Sequence, residues 1–348
     1  MSTPMRHWLS TPTGFFANHV LRGIGLVMLQ NNPLTGLLFL LGIFVSDWVS
    51  GLYALLGTVI ATWTAMLFGA PEHEINRGIY GFNGTLVGLA LAFYLGHVVT
   101  LIAYVIVYVI VASMFVTIAT AALKNIFGAQ GHALTAPFVI TTWIFTGALL
   151  DFTRLSGAWS LDLPQPQLPT VTVIARATDF SATDILVSIL SGPAQVMLQH
   201  NVWTGAIFLL AIGINSRISC AAAVLGSALG AGIAWALGAS PHDIRAGLYG
   251  FNAVLTAIAL GGVFFLLHRL TVVLAILAVC VSTILFATFV IIFKPLGLPV
   301  LTMPFVITTW LCLLAGVSLP RLAALSPVKA LTPERNLLAA QRAAAEKT

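Results

Sequence analysis

Charged side chains are scarce in this sequence, and their scarcity excludes a soluble globular protein. Only 7% of the 348 residues are Asp, Glu, Lys or Arg, whereas 59% are hydrophobic. A soluble domain carries about 25% charged residues, so a water-facing surface of this size could not be solvated. Residues 101–123 and 270–293 contain no charge and are long enough to cross about 30 Å of hydrocarbon. The chain is therefore predicted to be a multi-pass integral membrane protein.

Cysteine and buried acidic residues are equally scarce, and this argues against a metal site or an enzyme. The three cysteines have no metal-ligand spacing and lie in apolar segments. None of the ten Asp and Glu residues falls in the middle of such a segment, where pumps and coupled transporters hold ionisable groups. The apolar segments also lack paired carboxylates, an HExxH sequence and a serine-centred elbow. We therefore expect no catalysis, no metal and no other cofactor.

The sequence contains an internal duplication. Three short stretches of the first half return in the second half in the same order, at offsets of 169, 169 and 167 residues. Such agreement indicates two copies of one half-length module. The matched pairs are 30–36 with 199–205 (QNNPLTG, QHNVWTG), 78–83 with 247–252 (GIYGFN, GLYGFN), and 135–143 with 302–310 (TAPFVITTW, TMPFVITTW).

The duplication sets the predicted organisation of the chain. Each copy contains about six apolar segments, and those of about 13 residues reach only about 20 Å, too little to span a bilayer alone. An odd number of true spans in each copy would invert the second copy and place a solute site near the midplane, between the copies. The predicted units are an N-terminal segment (1–16), a first membrane repeat (17–152), a proline-rich exposed linker (153–183), a second membrane repeat (184–320) and an amphipathic or loosely helical tail (321–348).

Each copy carries a Thr-x-Pro-Phe sequence, which begins at Thr135 in the first half and at Thr302 in the second. Pro137 and Pro304 are suited to a helix start and disfavour helix in the residue before them. Irregular backbone at membrane depth is tolerated only where it lines a cavity or is buried in protein. The threonine hydroxyls would then either cap the following helices or contact a solute, and the residues alone leave both interpretations open.

The Tyr-Gly-Phe-Asn sequence opens another apolar segment in each copy. Its asparagine is suited to cap a helix, and the glycines around it allow close helix packing. Phe82 and Leu86 are four residues apart and therefore share one helix face, as do Phe251 and Leu255. Ordinary helix packing and a role in a solute pathway both agree with this spacing.

These duplicated stretches resemble those of the urea transporter family, over nearly the whole chain. Residues 80–88 (YGFNGTLVG) are similar to the repeated motif of the family, 298–305 (LPVLTMPF) to its second-half pore motif, and 30–36 to its early motif. The resemblance implies an all-α polytopic membrane protein with two homologous, inverted halves, each with about five transmembrane helices and a tilted pore helix. It also implies a homotrimer in which every subunit has its own slot, with apolar and aromatic walls and a ladder of oxygen acceptors.

The resemblance further implies which side chains line the slot. Thr135 and Thr302 would lie at its narrow middle. Gln195 would supply a polar group in the second half, whereas the first half has Leu26 where the family usually has Gln, so one end of the ladder is more apolar. Apart from the resemblance, His132, three residues before Thr135, is placed to supply a polar group near the mouth, but a lone loop histidine is more often solvent-facing and that is the expectation here. The lining residues implied in addition to the two threonines are Gln195, Phe82, Leu86, Phe251, Leu255, Leu26, Leu29 and Leu198.

A slot of this kind suits urea or a related small amide, because oxygen acceptors replace the water that the solute N–H groups give up. An ion finds no compensating charge there and is rejected. We therefore predict passive, channel-type transport. Two alternatives remain at this point: a secondary transporter for another small polar solute, coupled to an ion through backbone carbonyls, and a membrane subunit that transports nothing.

Charge placement predicts how the chain lies in its membrane. The formal net charge of +5 comes mostly from short loops and the C-terminal tail, which indicates topology rather than nucleic-acid binding. Arg6 and Arg22 near the N-terminus, and Arg321 and Lys329 after the last predicted span, favour the cytoplasm for both termini. The membrane is expected to be a bacterial inner membrane.

Overall fold

Helices provide the regular structure of the part of the chain that can be described. The computed structural model describes residues 12–95, 102–127, 132–149, 151–152, 181–322, 324–325 and 332–346. The predicted N-terminal segment up to residue 11, and the linker from 153 to 180, lie outside the described residues. The described elements confirm an all-α polytopic membrane protein.

Among the described residues, seven helices of the first half recur as seven helices, in the same order, in the second half. Those of the first half are α1 (Pro12–Leu26), α2 (Pro33–Ser46), α3 (Trp48–Leu67), the short α4 (Glu72–Ile75), α5 (Gly81–Leu95), α6 (Ile102–Phe127) and α7 (Ala136–Leu149). Those of the second half are α8 (Ala182–Val196), α9 (Val202–Asn215), α10 (Arg217–Ala236), the short α11 (Pro241–Arg245), α12 (Phe251–Ile258), α13 (Arg269–Phe293) and α14 (Met303–Ser318). A C-terminal helix, α15 (Pro333–Ala345), follows.

The helices fall into two length classes, as the apolar segments predict. Four described helices are long and apolar enough to cross a membrane by themselves: Trp48–Leu67, Ala103–Ile126, Arg217–Ala236 and Arg269–Leu296. Six shorter apolar helices of 10–17 residues accompany them. The short helices pair between the halves in the order of the repeat. That each half contains about five transmembrane helices stays a prediction.

Asparagine and aspartate side chains fix the starts of several helices. The Asn32 Oδ1 accepts a hydrogen bond from the backbone N–H of Leu34 at 2.9 Å, and the Asn201 Oδ1 accepts one from Trp203 at the same distance. Asp47 caps α3 by accepting from two backbone N–H groups of its first turn. Each cap satisfies donors that have no partner within the helix. The QNNPLTG stretch therefore marks the start of a helix in both halves.

The final glycine of the same stretch allows α1 and α2 to touch backbone to backbone. A Cβ atom added at Gly36 would lie 1.8 Å from the carbonyl oxygen of Leu21, and one added at Gly205 would lie 1.9 Å from that of Leu190. No side chain can be accommodated at such a distance. The repeated motif therefore encodes the same close helix crossing twice.

The halves meet through contacts that are reciprocal. The Thr35 hydroxyl donates to the carbonyl of Ala211 at 3.0 Å, and the Thr204 hydroxyl donates to the carbonyl of Gly42 at 2.9 Å. Thr35 and Thr204 occupy equivalent positions of the repeat, and so do Gly42 and Ala211. The beginning of each helix thus contacts the later part of the other, so α2 and α9 run in opposite directions. Contacts of this type are expected between units related by a two-fold axis.

The longest helices expose apolar side chains to the surroundings. Val107 and Ile118 on α6, and Val273 and Ile284 on α13, each expose half or more of their surface. Their spacings of 11 residues place each pair on one helix face. An apolar surface of this kind is unfavourable in water, so these faces are suited to contact lipid or another subunit.

Candidate functional site

The two motif threonines meet at the interface between the halves. The Thr135 Oγ1 and Thr302 Oγ1 lie 2.7 Å apart and form a hydrogen bond in which either hydroxyl can donate. Each threonine is only 2% exposed. Thr302 lies at the N-cap of α14 but makes no side-chain cap bond. The two hydroxyls bond to each other across the interface.

The residues before the two threonines have a strained backbone. Leu134 has a φ of 50° and Leu301 a φ of 52°, in the left-handed region that non-glycine residues rarely adopt. Leu29 and Leu198, at the ends of α1 and α8, share this conformation with φ of 61° and 54°. Such strain costs about 1–3 kcal/mol for each residue and persists only where the surroundings impose it. The four leucines occur as two repeat-related pairs, which indicates that both halves impose the same turns.

An asparagine in each half holds the strained turn in place. The Asn83 Nδ2 donates to the carbonyl of Leu134 at 3.2 Å, and the Asn252 Nδ2 donates to the carbonyl of Leu301 at 3.2 Å. The Asn252 Oδ1 also accepts from the backbone N–H of Phe305, in the first turn of α14, at 3.0 Å. Both asparagines are fully buried. These bonds run to the loops that carry the threonines and not to the helix starts on which the asparagines lie.

A tryptophan from each half ties the same loops from across the interface. The Trp143 Nε1 donates to the carbonyl of Pro299 at 2.7 Å, and the Trp310 Nε1 donates to the carbonyl of His132 at 2.8 Å. Pro299 and His132 are equivalent positions, each three residues before a motif threonine. The last residue of the TAPFVITTW stretch therefore has a positioning role that its repetition alone does not reveal.

The His132 side chain is packed rather than solvent-facing, so that expectation is wrong. Its ring lies against the ring of Phe264, with centroids 4.2 Å apart and planes inclined by 34°. Its Nε2 is buried, and no described residue gives it a hydrogen-bond partner. A residue of the first half is thus in contact with the segment that follows α12 in the second half.

The predicted end residues occupy equivalent positions at the ends of α1 and α8. Leu26 is the last residue of α1, and Leu29 lies in the turn after it. Gln195 is the penultimate residue of α8, and Leu198 lies in the equivalent turn. The Gln195 Oε1 is buried and receives no hydrogen bond from any described residue. An acceptor of this kind is free to bind a solute N–H group, and the first half has none at Leu26.

The predicted wall residues lie on the first two turns of α5 and α12. Leu86, Phe251 and Leu255 are buried, and Phe82 is half-buried against the main core. The Phe251 ring packs edge-on against the Phe286 ring, with centroids 5.6 Å apart. Both helices also carry the asparagines that hold the threonine loops. The wall residues and the central threonines are therefore positioned by the same two helices.

Fold and site together define a class of protein. Two repeated helical halves bury a pair of hydroxyls and an unpartnered amide oxygen among apolar side chains, and the long helices present apolar surface outwards. Within the described residues, no group of three His, Cys, Asp or Glu side chains could hold a metal ion. Neutral acceptors in a buried interface suit the passage of a neutral polar solute. The class is a multi-pass membrane transporter.

Comparison with known proteins identifies the family. A profile described as urea transporter matches residues 17–317. The chain is 32% identical over 323 residues to urea transporter 1 of Capra hircus and equally to that of Ovis aries, covering 92% of this chain and 82% of each relative. It is 31% identical over 322 residues to urea transporter 1 of Rattus norvegicus, with the same coverage. The chain belongs to the urea transporter family, which confirms the resemblance of its repeated motifs.

Proposed function

We propose that this chain conducts urea passively across its membrane through a constriction between its two halves, centred on Thr135 and Thr302. Membership of the urea transporter family supports passive transport and urea as the solute. Neither ion-coupled transport nor a subunit without transport activity is favoured. The observation that carries the proposal is the buried 2.7 Å hydrogen bond between the two repeat-related hydroxyls. A solute passing this point exchanges that bond for bonds to its own N–H and carbonyl groups.

The chemistry of the constriction suits urea. Urea is flat and neutral, with N–H donors at its edges and one carbonyl acceptor. Hydroxyl oxygens, strained-loop carbonyls and the Gln195 Oε1 replace the water that its N–H groups lose. Leaving one such group without a partner would cost about 1–3 kcal/mol. An ion would lose several kcal/mol of hydration free energy at this point, and the described lining residues carry no charge to compensate for it. The same geometry therefore excludes ions.

The remaining predicted residues form the walls and ends of the slot. Phe82 and Leu86 from the first half, and Phe251 and Leu255 from the second, would select for flatness. The ends would differ, because Gln195 offers an acceptor where Leu26 offers none. Leu29 and Leu198, in the equivalent left-handed turns, would complete the two ends.

The arrangement in the membrane follows from the relation between the halves. The opposite directions of α2 and α9 support inverted copies if these helices lie across the bilayer, because the axis relating them is then in the membrane plane. Cytoplasmic termini, a bacterial inner membrane and a homotrimer complete the proposal. The apolar faces of α6 and α13 supply surface for lipid and for neighbouring subunits. Cysteines introduced near the two termini can be labelled from either side of the membrane. If the two were reached from opposite sides, the cytoplasmic assignment of both termini would be overturned.

Stopped-flow light scattering tests the pore directly. Purified protein in liposomes is exposed to a urea gradient without any ion gradient, and Thr135→Val and Thr302→Val are compared with the unaltered chain. Valine keeps the shape of threonine and removes the hydroxyl, so each variant should reduce urea flux while folding normally. Ser188→Ala, which removes a buried hydroxyl bonded within its own helix, is the matched control. Unchanged flux in both threonine variants would refute the assignment of the constriction, and flux that requires a sodium or proton gradient would refute passive transport.

A further inference from the structure

The two halves differ sharply in one helix next to the site. In the first half, α5 is continuous from Gly81 to Leu95. In the second half, α12 gives way to a π turn over Ala259–Val263, in which Gly262 has a φ of 130°. In the repeat, Gly262 is equivalent to Phe93, which lies within the regular part of α5. The break is therefore not part of the duplicated module and needs a separate cause.

The C-terminal segment holds this break. The Asn336 Nδ2 donates to the carbonyl of Gly262 at 2.7 Å and to that of Val263 at 3.3 Å, and Asn336 is only 6% exposed. Pro333 packs so closely that a Cβ atom added at Gly262 would lie 2.7 Å from its own Cβ. Carbonyls freed from a regular helix need donors when they are buried. Asn336 supplies the donor that the broken helix lacks.

A second anchor fixes the beginning of α15 to the beginning of α10. The Glu334 carboxylate accepts from the Ser216 hydroxyl at 2.8 Å and from the backbone N–H of Ile218 at 3.0 Å. A carboxylate at a helix N-terminus is also favoured by the helix dipole. Burial raises the pKa of Glu334, but hydrogen bonds from the Ile218 N–H and the Ser216 hydroxyl outweigh this and hold the pKa below its ordinary value. The tail is thus attached both to the broken helix and to the start of α10.

The broken helix is connected to the loop of Thr135 through the ring contact between Phe264 and His132. Leu325, before α15, donates its N–H to the carbonyl of Phe264 at 2.7 Å, so the backbone after the break is held as well. The Phe264 ring lies against the His132 ring, three residues before Thr135. The His132 carbonyl is fixed by Trp310 from the other side. A continuous series of contacts therefore runs from the tail to the loop of the first half that carries Thr135.

We propose that Asn336 and Glu334 are positioning residues for transport, and that the C-terminal segment sets the width of the constriction through Phe264 and His132. This inference rests on the proposed role of the Thr135–Thr302 pair. A slot that selects by shape is sensitive to small displacements of its walls, whereas total flux depends also on the amount of folded protein. Discrimination between urea and a slightly larger amide is therefore the quantity that the tail should control.

The test compares full-length variants in liposomes by stopped-flow, with urea and N-methylurea as the two probes. Asn336→Ala and Glu334→Gln should each lower the urea to N-methylurea flux ratio by about threefold or more, within the range for residues that couple to a site without touching its ligand. Asn336→Gln, which keeps an amide donor, should restore part of the ratio. Arg342→Ala, an exposed change on the same helix, should leave the ratio unchanged.

Two further variants keep the outcome decisive. Phe264→Leu removes the ring contact with His132 without touching the tail, and it replaces Asn336→Ala if that variant does not fold. Thr302→Val reports on the constriction itself. If Thr302→Val alters the flux ratio but Asn336→Ala, Glu334→Gln and Phe264→Leu do not, the positioning role is refuted. If Thr302→Val also leaves the ratio unchanged, the proposed constriction is wrong, and the tail cannot act through it.

Discussion

The two asparagines that hold the threonine loops lead to the most discriminating prediction. Asn252→Ala removes the donor to the Leu301 carbonyl and the acceptor of the Phe305 N–H. Both backbone groups are buried, and each would destabilise the fold by about 1–3 kcal/mol when left without a hydrogen bond, which gives about 2–6 kcal/mol in total. Asn83→Ala leaves one backbone group, the Leu134 carbonyl, without its partner, because no described donor reaches the Asn83 Oδ1. It also removes a 3.3 Å bond to the Thr120 hydroxyl, which stays bonded within its own helix. The expected cost there is about 1–3 kcal/mol.

Urea flux should fall more in Asn252→Ala than in Asn83→Ala, as stability does. The reason is that the left-handed turns at Leu134 and Leu301 persist only while the surroundings impose them. Urea flux in liposomes and thermal unfolding in detergent are measured on the same preparations. Both variants should lose flux and stability, and Asn252→Ala should lose more of each. Asn83→Gln and Asn252→Gln, which keep the amide donor and acceptor and add no charge, serve as conservative controls.

Two outcomes would contradict this reasoning. If Asn83→Ala proved more damaging than Asn252→Ala, the number of backbone groups left unpaired would not govern the effect. If both variants transported urea as the unaltered chain does while folding normally, the asparagines would not position the constriction at all.

Three further predictions concern the ends, the walls and the tail. Leu26→Gln should strengthen urea binding and Gln195→Leu should weaken it, each by about 1–3 kcal/mol; a urea affinity unchanged in both would show that neither side chain reaches the solute. Phe82→Ala and Phe251→Ala should admit bulkier amides and lower the urea to N-methylurea flux ratio, whereas lost stability with an unchanged ratio would indicate simple packing. The ordinary pKa of Glu334 is 4.5 and its folded-state pKa is lower, so tail docking should be intact above pH 4.5 and lost as pH falls through the lowered value. Hydrogen exchange of residues 333–345 measures this, and an identical pH response in Glu334→Gln would refute it.

Much of the architecture could be predicted from the sequence because it depends on local chemistry. Scarce charge requires lipid as the solvent, and proline and asparagine mark helix starts that recur at offsets of 167 and 169 residues. The motif threonines could also be singled out, since Thr135 and Thr302 open the most strictly repeated stretch. Their mutual hydrogen bond could not be predicted, because a hydroxyl before a proline is equally suited to cap the helix that follows.

The supporting contacts were beyond prediction for a different reason. Asn83 and Asn252 lie about 50 residues from the loops they hold, as their partners Leu134 and Leu301 show. An amide at a helix start looks like a local cap, and only the tertiary fold reveals a more distant partner. Repetition was the available signal, since both asparagines belong to the same duplicated motif. His132 gave no such signal, because its equivalent is Pro299 and its burial depends on Phe264.

The positions of the differences between the halves follow from their relation. Residues that meet their own equivalents, as Thr135 meets Thr302, must satisfy the same chemistry from both sides, so they stay alike. Residues away from such a contact have no equivalent opposite them and are free to diverge. Leu26 and Gln195 differ in this way, and so do Phe93 and Gly262. A solute would therefore meet a symmetric centre between unequal ends, and control by the tail can enter from one side only, through the helix that is broken.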